Sequence, residues 1–342
     1  MKIILPMAGY GTRLRPHTWS VPKPLVPLAG KAMIDHILDR LLPLNPEEII
    51  CIVGYLGDQI ETYVKEHYTV PTRFVVQPEM RGQAHAIALT REVVGGGDAL
   101  VMFADTIFEA DFGVLPTLRD QGIDGAIYVK EIDDPRRFGI AMIDEQGFAT
   151  RLVEKPEHPE SNLALVGIYY FGEMAALYEA IDALIASGRT TKGEYYLADA
   201  VQLLIDRGQR LKTMPVPVWE DCGKPEELLQ TNRYLLGKIA AEGALAPRQY
   251  ADSVVIQPSS IDPTALINRS VVGPNVSIGA GATLDGVVIE NSIVGDHAAL
   301  SHMTLTDSII STGAGMHGTR LRLNLGAGSS AIMPAIAPQN GK

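Results

Sequence analysis

Leu5-Pro-Met-Ala-Gly-Tyr-Gly-Thr-Arg-Leu-Arg-Pro16, followed shortly by Val21-Pro-Lys-Pro-Leu25, is the stretch on which the reading of this chain turns. Lys2-Ile-Ile-Leu5 leads into it as a short apolar run, the pattern of a buried strand. Gly9 and Gly11 then permit a loop whose backbone N–H groups converge on phosphate oxygens. Arg13, Arg15 and Lys23 add fixed positive charge to the same short segment. A purely structural turn has no need of so much cation, and the combination suits a polyphosphate.

Two familiar phosphate loops are excluded by the residues themselves. The P-loop requires Gly-x-x-x-x-Gly-Lys followed by Ser or Thr, a string absent from this sequence. The dinucleotide fingerprint requires a third glycine where Leu14 stands, and the next strand-like run, Ile49-Ile-Cys-Ile-Val53, continues into Gly54 and Tyr55 without an acidic end. A nicotinamide-binding oxidoreductase is therefore excluded.

Working outward, strand and helix patterns alternate. Met33 to Leu44 carries Ile34, Ile37, Leu38, Leu41 and Leu42 on one helical face. Strands are expected at Ile49–Val53, Arg73–Gln77 and Ala99–Phe103, with helices at Asp58–His67 and Gln83–Val93. The order predicts an α/β fold with a doubly wound, mostly parallel, Rossmann-like sheet, whose ligands lie beyond the carboxyl ends of the strands. Shorter strands follow from Ala126 to Phe171, then helices at Glu173–Ser187, Tyr195–Arg207 and Pro225–Ala241. We assign residues 1–245 to this first domain.

Beyond Pro247 the pattern changes. Asp252-Ser-Val-Val, Arg269-Ser-Val-Val-Gly, Asn291-Ser-Ile-Val-Gly and Asp307-Ser-Ile-Ile form an internal repeat. Apolar residues recur every five or six positions at Val272, Ile278, Leu284, Ile289, Val294, Leu300, Leu305, Ile310 and Met316. This hexapeptide pattern predicts a left-handed parallel β-helix over 250–320, with a partly disordered tail over 321–342. So short a solenoid is expected to dock on the first domain or on a partner subunit, and its exposed ends favour a homo-oligomer.

Composition agrees with a globular protein of about two domains. The chain has 342 residues, 46% of them hydrophobic, and only Cys51 and Cys222, which form neither a disulfide framework nor a zinc site. A net charge of −11 argues against nucleic acid and anionic lipid as partners. No apolar run approaches a membrane span and no secretory h-region leads the chain, so a cytoplasmic protein is expected.

Ala8-Gly-x-Gly-Thr-Arg-Leu with Pro22-Lys-Pro-Leu25 resembles the signature of the sugar-1-phosphate nucleotidyltransferases, the NDP-sugar pyrophosphorylases. Thymidylyltransferases of that family usually carry Gly-Gly where this chain has Ala8-Gly9; the Ala-Gly form is similar to bacterial UTP–glucose-1-phosphate uridylyltransferases. The resemblance implies transfer of a nucleotidyl group from an NTP, UTP or dTTP, to a sugar 1-phosphate, with glucose 1-phosphate favoured. A non-catalytic regulatory or scaffolding subunit of the same fold is the alternative.

It also implies roles. Ala8, Gly9, Gly11 and Thr12 would cradle the nucleotide, with Arg13 on the β- and γ-phosphates and Lys23 on the α-phosphate as the catalytic cations. Gln77 and Gly82 match the segment that reads the base. Gly139, Glu154, Lys155 and Leu165 match the sugar-phosphate contacts, Lys155 gripping the phosphate and Glu154 the sugar hydroxyls. Taken alone, Asp105 and Asp221 read as turn or capping aspartates. Together they resemble the family's magnesium carboxylates, and Mg2+ needs few protein ligands when phosphate oxygens and water complete its shell. The eight histidines show no metal spacing, and His297, His302 and His317 of the repeat read as solvated loop residues more readily than as an acyltransferase base.

Overall fold

A computed structural model describes residues 1–245 and 249–318. The last two residues of the expected β-helix span and the whole 321–342 segment lie outside the described residues.

The first part runs β1 (Lys2–Pro6), a small hairpin of β2 (Pro27–Leu28) and β3 (Lys31–Ala32), α1 (Met33–Leu41), β4 (Ile49–Val53), α2 (Gly57–His67) and β5 (Thr72–Val76). There follow α3 (Gln83–Ala88), α4 (Arg91–Val94), β6 (Ala99–Met102), β7 (Thr106–Glu109) and α5 (Leu115–Leu118). Next come β8 (Gly125–Glu131), β9 (Gly139–Ile143), β10 (Ala149–Glu154), β11 (Leu163–Phe171), α6 (Met174–Ser187) and α7 (Leu197–Asp206). The series ends with β12 (Leu211–Pro215), β13 (Val218–Asp221) and α8 (Pro225–Ala241). The main sheet is ordered β10-β9-β11-β6-β1-β4-β5, with β8 and β12 added beside β11. Its parallel, doubly wound half is β6-β1-β4-β5, and β11 continues it antiparallel to β6, β8 and β9.

β1 sits at the centre because it is apolar on both faces. Ile3 and Leu5 enter one core with α1, α2 and α8, while Ile4 enters the other with α3, α6 and α7. The expected helix over 83–93 divides into α3 and α4. The Thr90 hydroxyl accounts for the break: its Oγ1 donates 2.7 Å to the Ile87 carbonyl and lies 2.8 Å from the Tyr178 hydroxyl, competing with the helical ladder. α1 stops at Leu41 and tightens into a 3₁₀ turn over Leu42–Leu44, where Pro43 removes a donor.

From Val254 onward short strands stack in parallel as a β-helix. Val254 pairs with Val271 and Val271 with Val288, 17 residues apart; Val288 pairs with Thr304, 16 apart. Three segments of five to six residues make one such coil, as the apolar spacing requires. Val272, Ile278, Leu284, Ile289, Val294 and Leu300 fill its core. Met316, expected there too, is 54% exposed because no described coil stacks beyond it. The four copies of the repeat occupy two turns. Ser270 N donates to Ser253 Oγ at one, and Ser308 N to Ser292 Oγ at the other, each at 3.1 Å. The β-helix docks on α8: Asn232, fully buried, accepts from Ala29 N at 2.8 Å and from Ser277 Oγ at 2.7 Å. Among the described residues no helix is long and apolar enough to cross a membrane.

Candidate active site

The carboxyl ends of β1, β5 and β6 release the chain into the Gly9–Gly11 loop, Gln77 and Asp105, so three separate stretches meet at one edge of the sheet. Gly11 has φ +61, and the Thr18 side chain fills the space beside it; Thr18 Oγ1 donates 2.8 Å to the Gly11 carbonyl. The turn so formed projects Arg13 across the cleft to Gly223. A Cβ there would lie 2.6 Å from the guanidinium, so glycine lets the Arg13 head pass. Lys23 Nζ lies 3.1 Å from Asp105 Oδ2.

Two cavities open at this edge. One, of about 400 Å³, is lined by Ala8, Gly9, Gly11, Thr12, Arg13, Lys23, Gln77, Gly82 and Asp105. The other, of about 450 Å³, is lined by Gly139, Glu154, Lys155, Leu165 and Asp221, and again by Arg13 and Asp105. Gln83 and Phe103 also face both. Every residue given a site role from the family resemblance lines one of two adjoining cavities, Arg15 of the loop's three cations lines neither, and Arg13 and Asp105 stand at the junction.

The first cavity fixes the Gln77 amide. Its Nε2 donates to the Glu79 carbonyl at 3.2 Å, an oxygen that can only accept, so Oε1 is the atom left to take a hydrogen bond. At Gly82, φ is +108 and an added Cβ would sit 2.5 Å from the Tyr195 carbonyl oxygen; glycine there accommodates the backbone that crosses from residue 191 to 196.

The second cavity is built on strand register. Gly139 pairs with Glu154 across β9 and β10, and a Cβ on Gly139 would lie 2.7 Å from both the Glu154 carboxylate and Leu165. Lys155 has φ +44, and its N–H donates 3.1 Å to the Phe138 carbonyl. Its ammonium donates 2.8 Å to the Tyr196 hydroxyl, lies 4.5 Å from that ring's centroid, and is 3.5 Å from Glu154 Oε1. Burial opposes the Lys155 charge, but Tyr196 and Glu154 outweigh it and its pKa is raised. Burial raises the Glu154 pKa, against the opposing pull of Lys155.

The run Gly193-Glu-Tyr-Tyr-Leu-Ala-Asp199, which the resemblance places beside the sugar pocket, supplies Tyr196 as the partner of Lys155, while Gly223 lines the first cavity and Trp219 the second. No spacing rule ties Tyr196 to Lys155 or Gly223 to Arg13. Trp219 packs edge-on against Phe138, ring centroids 4.7 Å apart. Trp219 and Thr106 both line the second cavity, and Trp219 Nε1 and Thr106 Oγ1 are buried without a hydrogen-bond partner.

Asp105 and Asp221 come together through the β7–β13 pair, where Asp221 faces Thr106 and Cys222 N donates 3.2 Å to the Asp105 carbonyl. Burial raises the Asp221 pKa, and the Asp105 and Glu227 carboxylates add to it, while Lys23 and Arg13 oppose. Two carboxylates brought together beside the meeting of the two cavities fit a hard divalent cation such as Mg2+. No group of three or more His, Cys, Asp or Glu suited to a metal converges among the described residues, so phosphate oxygens and water would complete such a shell.

Comparison with known proteins agrees. Residues 1–238 match the nucleotidyl transferase family model. The low-salt glycan biosynthesis nucleotidyltransferase Agl11 of Haloferax volcanii is 34% identical over 92% of this chain and 93% of its own. The UTP–glucose-1-phosphate uridylyltransferase AglF of the same organism is 36% identical over 66% of this chain and 93% of its own. A glucose-1-phosphate thymidylyltransferase of Streptomyces griseus is 30% identical over 94% and 90%. The fold is also that of a UDP-glucose pyrophosphorylase solved with UDP-glucose, with a TM-score of 0.59 at 22% identity over 69% of this chain and 98% of that one. The chain belongs to the nucleotidyl transferase family, among its sugar-1-phosphate nucleotidyltransferases.

Proposed function

We propose that this enzyme transfers a nucleotidyl group from UTP or dTTP to glucose 1-phosphate, releasing pyrophosphate. The observation that carries the reading is the meeting of the two cavities at Arg13 and Asp105, with cations on both sides of the junction. The nucleotide occupies the first cavity and the sugar phosphate the second. Gln77 Oε1 accepts from a base N–H, which suits the N3–H of uracil or thymine, and the N1–H of guanine too, but not the ring-nitrogen acceptors of adenine or cytosine. The Ala8-Gly9 form of the loop, similar to that of uridylyltransferases, favours the pyrimidine. AglF and the Streptomyces griseus enzyme, by their names, use glucose 1-phosphate with one or other of these bases.

A sugar phosphate oxygen attacks the α-phosphorus in line; the new O–P bond forms as the bond to the β-phosphate oxygen breaks, and the electron pair leaves with pyrophosphate. A phosphate monoester with a second pKa of about 6 is largely dianionic at neutral pH, so no side chain needs to remove a proton. The work is positioning and neutralisation of anions. Lys155, held by Tyr196 and Glu154, aims the nucleophile. Lys23 leaves Asp105 for the α-phosphate as charge builds there, and Arg13 stabilises the departing pyrophosphate. Mg2+ held by Asp105 and Asp221 would supply further neutralisation of the phosphate oxygens. Gly139 and Leu165 shape the sugar side, and Ala8, Gly9, Gly11 and Thr12 the phosphate side.

The test is a panel of UTP, dTTP, GTP and ATP against the 1-phosphates of glucose, galactose, mannose and glucosamine, scored by pyrophosphate release. The highest kcat/KM is expected for glucose 1-phosphate with UTP or dTTP. A purine preference, or no pyrophosphate from any pair, would overturn the reading.

A further inference from the structure

The β-helix reaches the phosphate loop. His17 Nδ1 lies 2.7 Å from Ser311 Oγ, a residue of the last described coil. His17 is only four positions beyond Arg13, and its neighbour Thr18 is fully buried, bonded to the Gly11 carbonyl and packed beside the Gly11 Cα. A chain of direct contacts thus runs from Ser311 through His17 and Thr18 to the left-handed glycine that sets the direction of Arg13. The same segment is held on its other side by Tyr55, whose hydroxyl donates 2.7 Å to the Trp19 carbonyl, and by Gln59, whose amide donates 3.2 Å to Ser20. Those two anchors belong to the first domain; His17 alone among these residues ties the segment to the β-helix. Half-burial lowers the His17 pKa, so the ring is held neutral in this contact.

We infer that His17 is a positioning residue through which the last described coil of the β-helix sets the nucleotide-binding loop. This rests on the reading that the Gly9–Arg13 loop holds the NTP. The solenoid then acts through one side-chain contact chiefly on the nucleotide side, because Arg13 is the one residue of the Gly9–Arg13 loop that also lines the second cavity. Neither His17 nor Ser311 lines the second cavity.

The experiment uses the full chain with Ser311→Ala, His17→Ala, the double variant and His17→Asn. Ser311→Ala removes a single hydroxyl from a coil surface and leaves the fold's core untouched. KM for the NTP is expected to rise about three- to tenfold in either single variant, the range one net hydrogen bond is worth. KM for the sugar phosphate should stay within about twofold, and the double variant should be no worse than the worse single variant. His17→Asn, whose amide can reach the serine, should recover most of the loss. Amide hydrogen exchange supplies an arm that needs no turnover: residues 9–20 should exchange faster in Ser311→Ala while α6 is unchanged. Equal effects on both substrates, additive losses, or unaltered exchange over 9–20 would overturn the inference. If the wild type releases no pyrophosphate, the functional reading fails, and the exchange arm decides this inference by itself.

Discussion

Lys23 cannot serve Asp105 and a phosphate at once. Its pairing with Asp105 at 3.1 Å involves a carboxylate 42% exposed, so solvent screening holds the pair to about 1 kcal/mol or less, and a triphosphate competes easily. On the proposed role, removing the ammonium would leave the developing charge on the α-phosphate uncompensated in the transition state. Lys23→Ala is expected to lower kcat by about 10²–10³ while raising KM for the NTP less than tenfold, measured by pyrophosphate release. Turnover close to wild type would contradict the assignment. Glu154 argues the opposite case, a residue kept at a cost. Burial raises its pKa, so the folded state disfavours its charge. A carboxyl raised on folding costs nothing well below its unfolded pKa, and the cost grows as pH rises through the folded pKa. Glu154→Gln should therefore raise Tm at pH 7–8, with the gain vanishing as pH falls below about 4.5, while KM for the sugar phosphate increases. An equal Tm at all pH values would exclude this account. Among the charged residues that line the two cavities, Arg13 and Lys23 stand out in the sequence as cations of one glycine-bearing loop, whereas Asp105 and Asp221, turn aspartates when taken alone, are singled out only through the family resemblance. Tyr196 was not legible as the partner of Lys155, because its grip on Lys155 joins residues 41 apart, a distance that only β10, β11 and the segment entering α7 can close.

At the scale of elements, apolar periodicity found the strands of the parallel half and the long helices, since burial on one face or both leaves a period that needs no tertiary knowledge. Where it overran, a single side chain had intervened: Thr90 cuts α3 from α4 by bonding its own helix and Tyr178. The antiparallel continuation through β8, β9 and β11 was less visible. Its strands are short or buried on both faces, so their direction depends on register rather than on pattern. Gly82 shows how two elements are fitted together. The start of α3 and the segment at Tyr195 approach so closely that Tyr195 N donates to Arg81 O at 2.9 Å and Ala84 N to Tyr195 O at 3.0 Å. A methyl group there meets backbone at 2.5 Å and also requires φ +108. Gly82→Ala should cost about 2–4 kcal/mol, combining a strained dihedral with an overlap that no side-chain rotation relieves. Urea denaturation would measure the loss. Because Gln83 faces both cavities, KM should rise for both substrates. A variant with unchanged midpoint and kinetics would mean that the approach is looser than described.

For the molecule as a whole, the question is what fastens a solenoid of so few coils to the sheet domain. The repeat predicted that the β-helix must dock somewhere, but not where, because the key residue lies in α8 and reads there as one polar position in an amphipathic helix. Asn232 is fully buried and its amide is used at both ends: Oδ1 accepts from Ala29 N and Ser277 Oγ, and Nδ2 lies 3.4 Å from the Asn275 carbonyl. One side chain thus joins the β2–β3 turn, α8 and the second coil. Replacing it with alanine strands a buried N–H and a buried hydroxyl without an acceptor, and each such orphan costs about 1–3 kcal/mol. That energy is lost from the junction and not from either core, so the expected consequence is a loss of coupling rather than of folding. Calorimetry of Asn232→Ala should resolve a lower transition for the β-helix from the main one, whereas the wild type is expected to melt in a single step. Asn232→Asp keeps both acceptor bonds at the cost of a buried charge, and should fall between the two in the separation of the peaks. One cooperative endotherm at the wild-type Tm in the alanine variant would place the coupling elsewhere, at contacts such as that of Arg233 with Asn291, 3.2 Å away on the next coil.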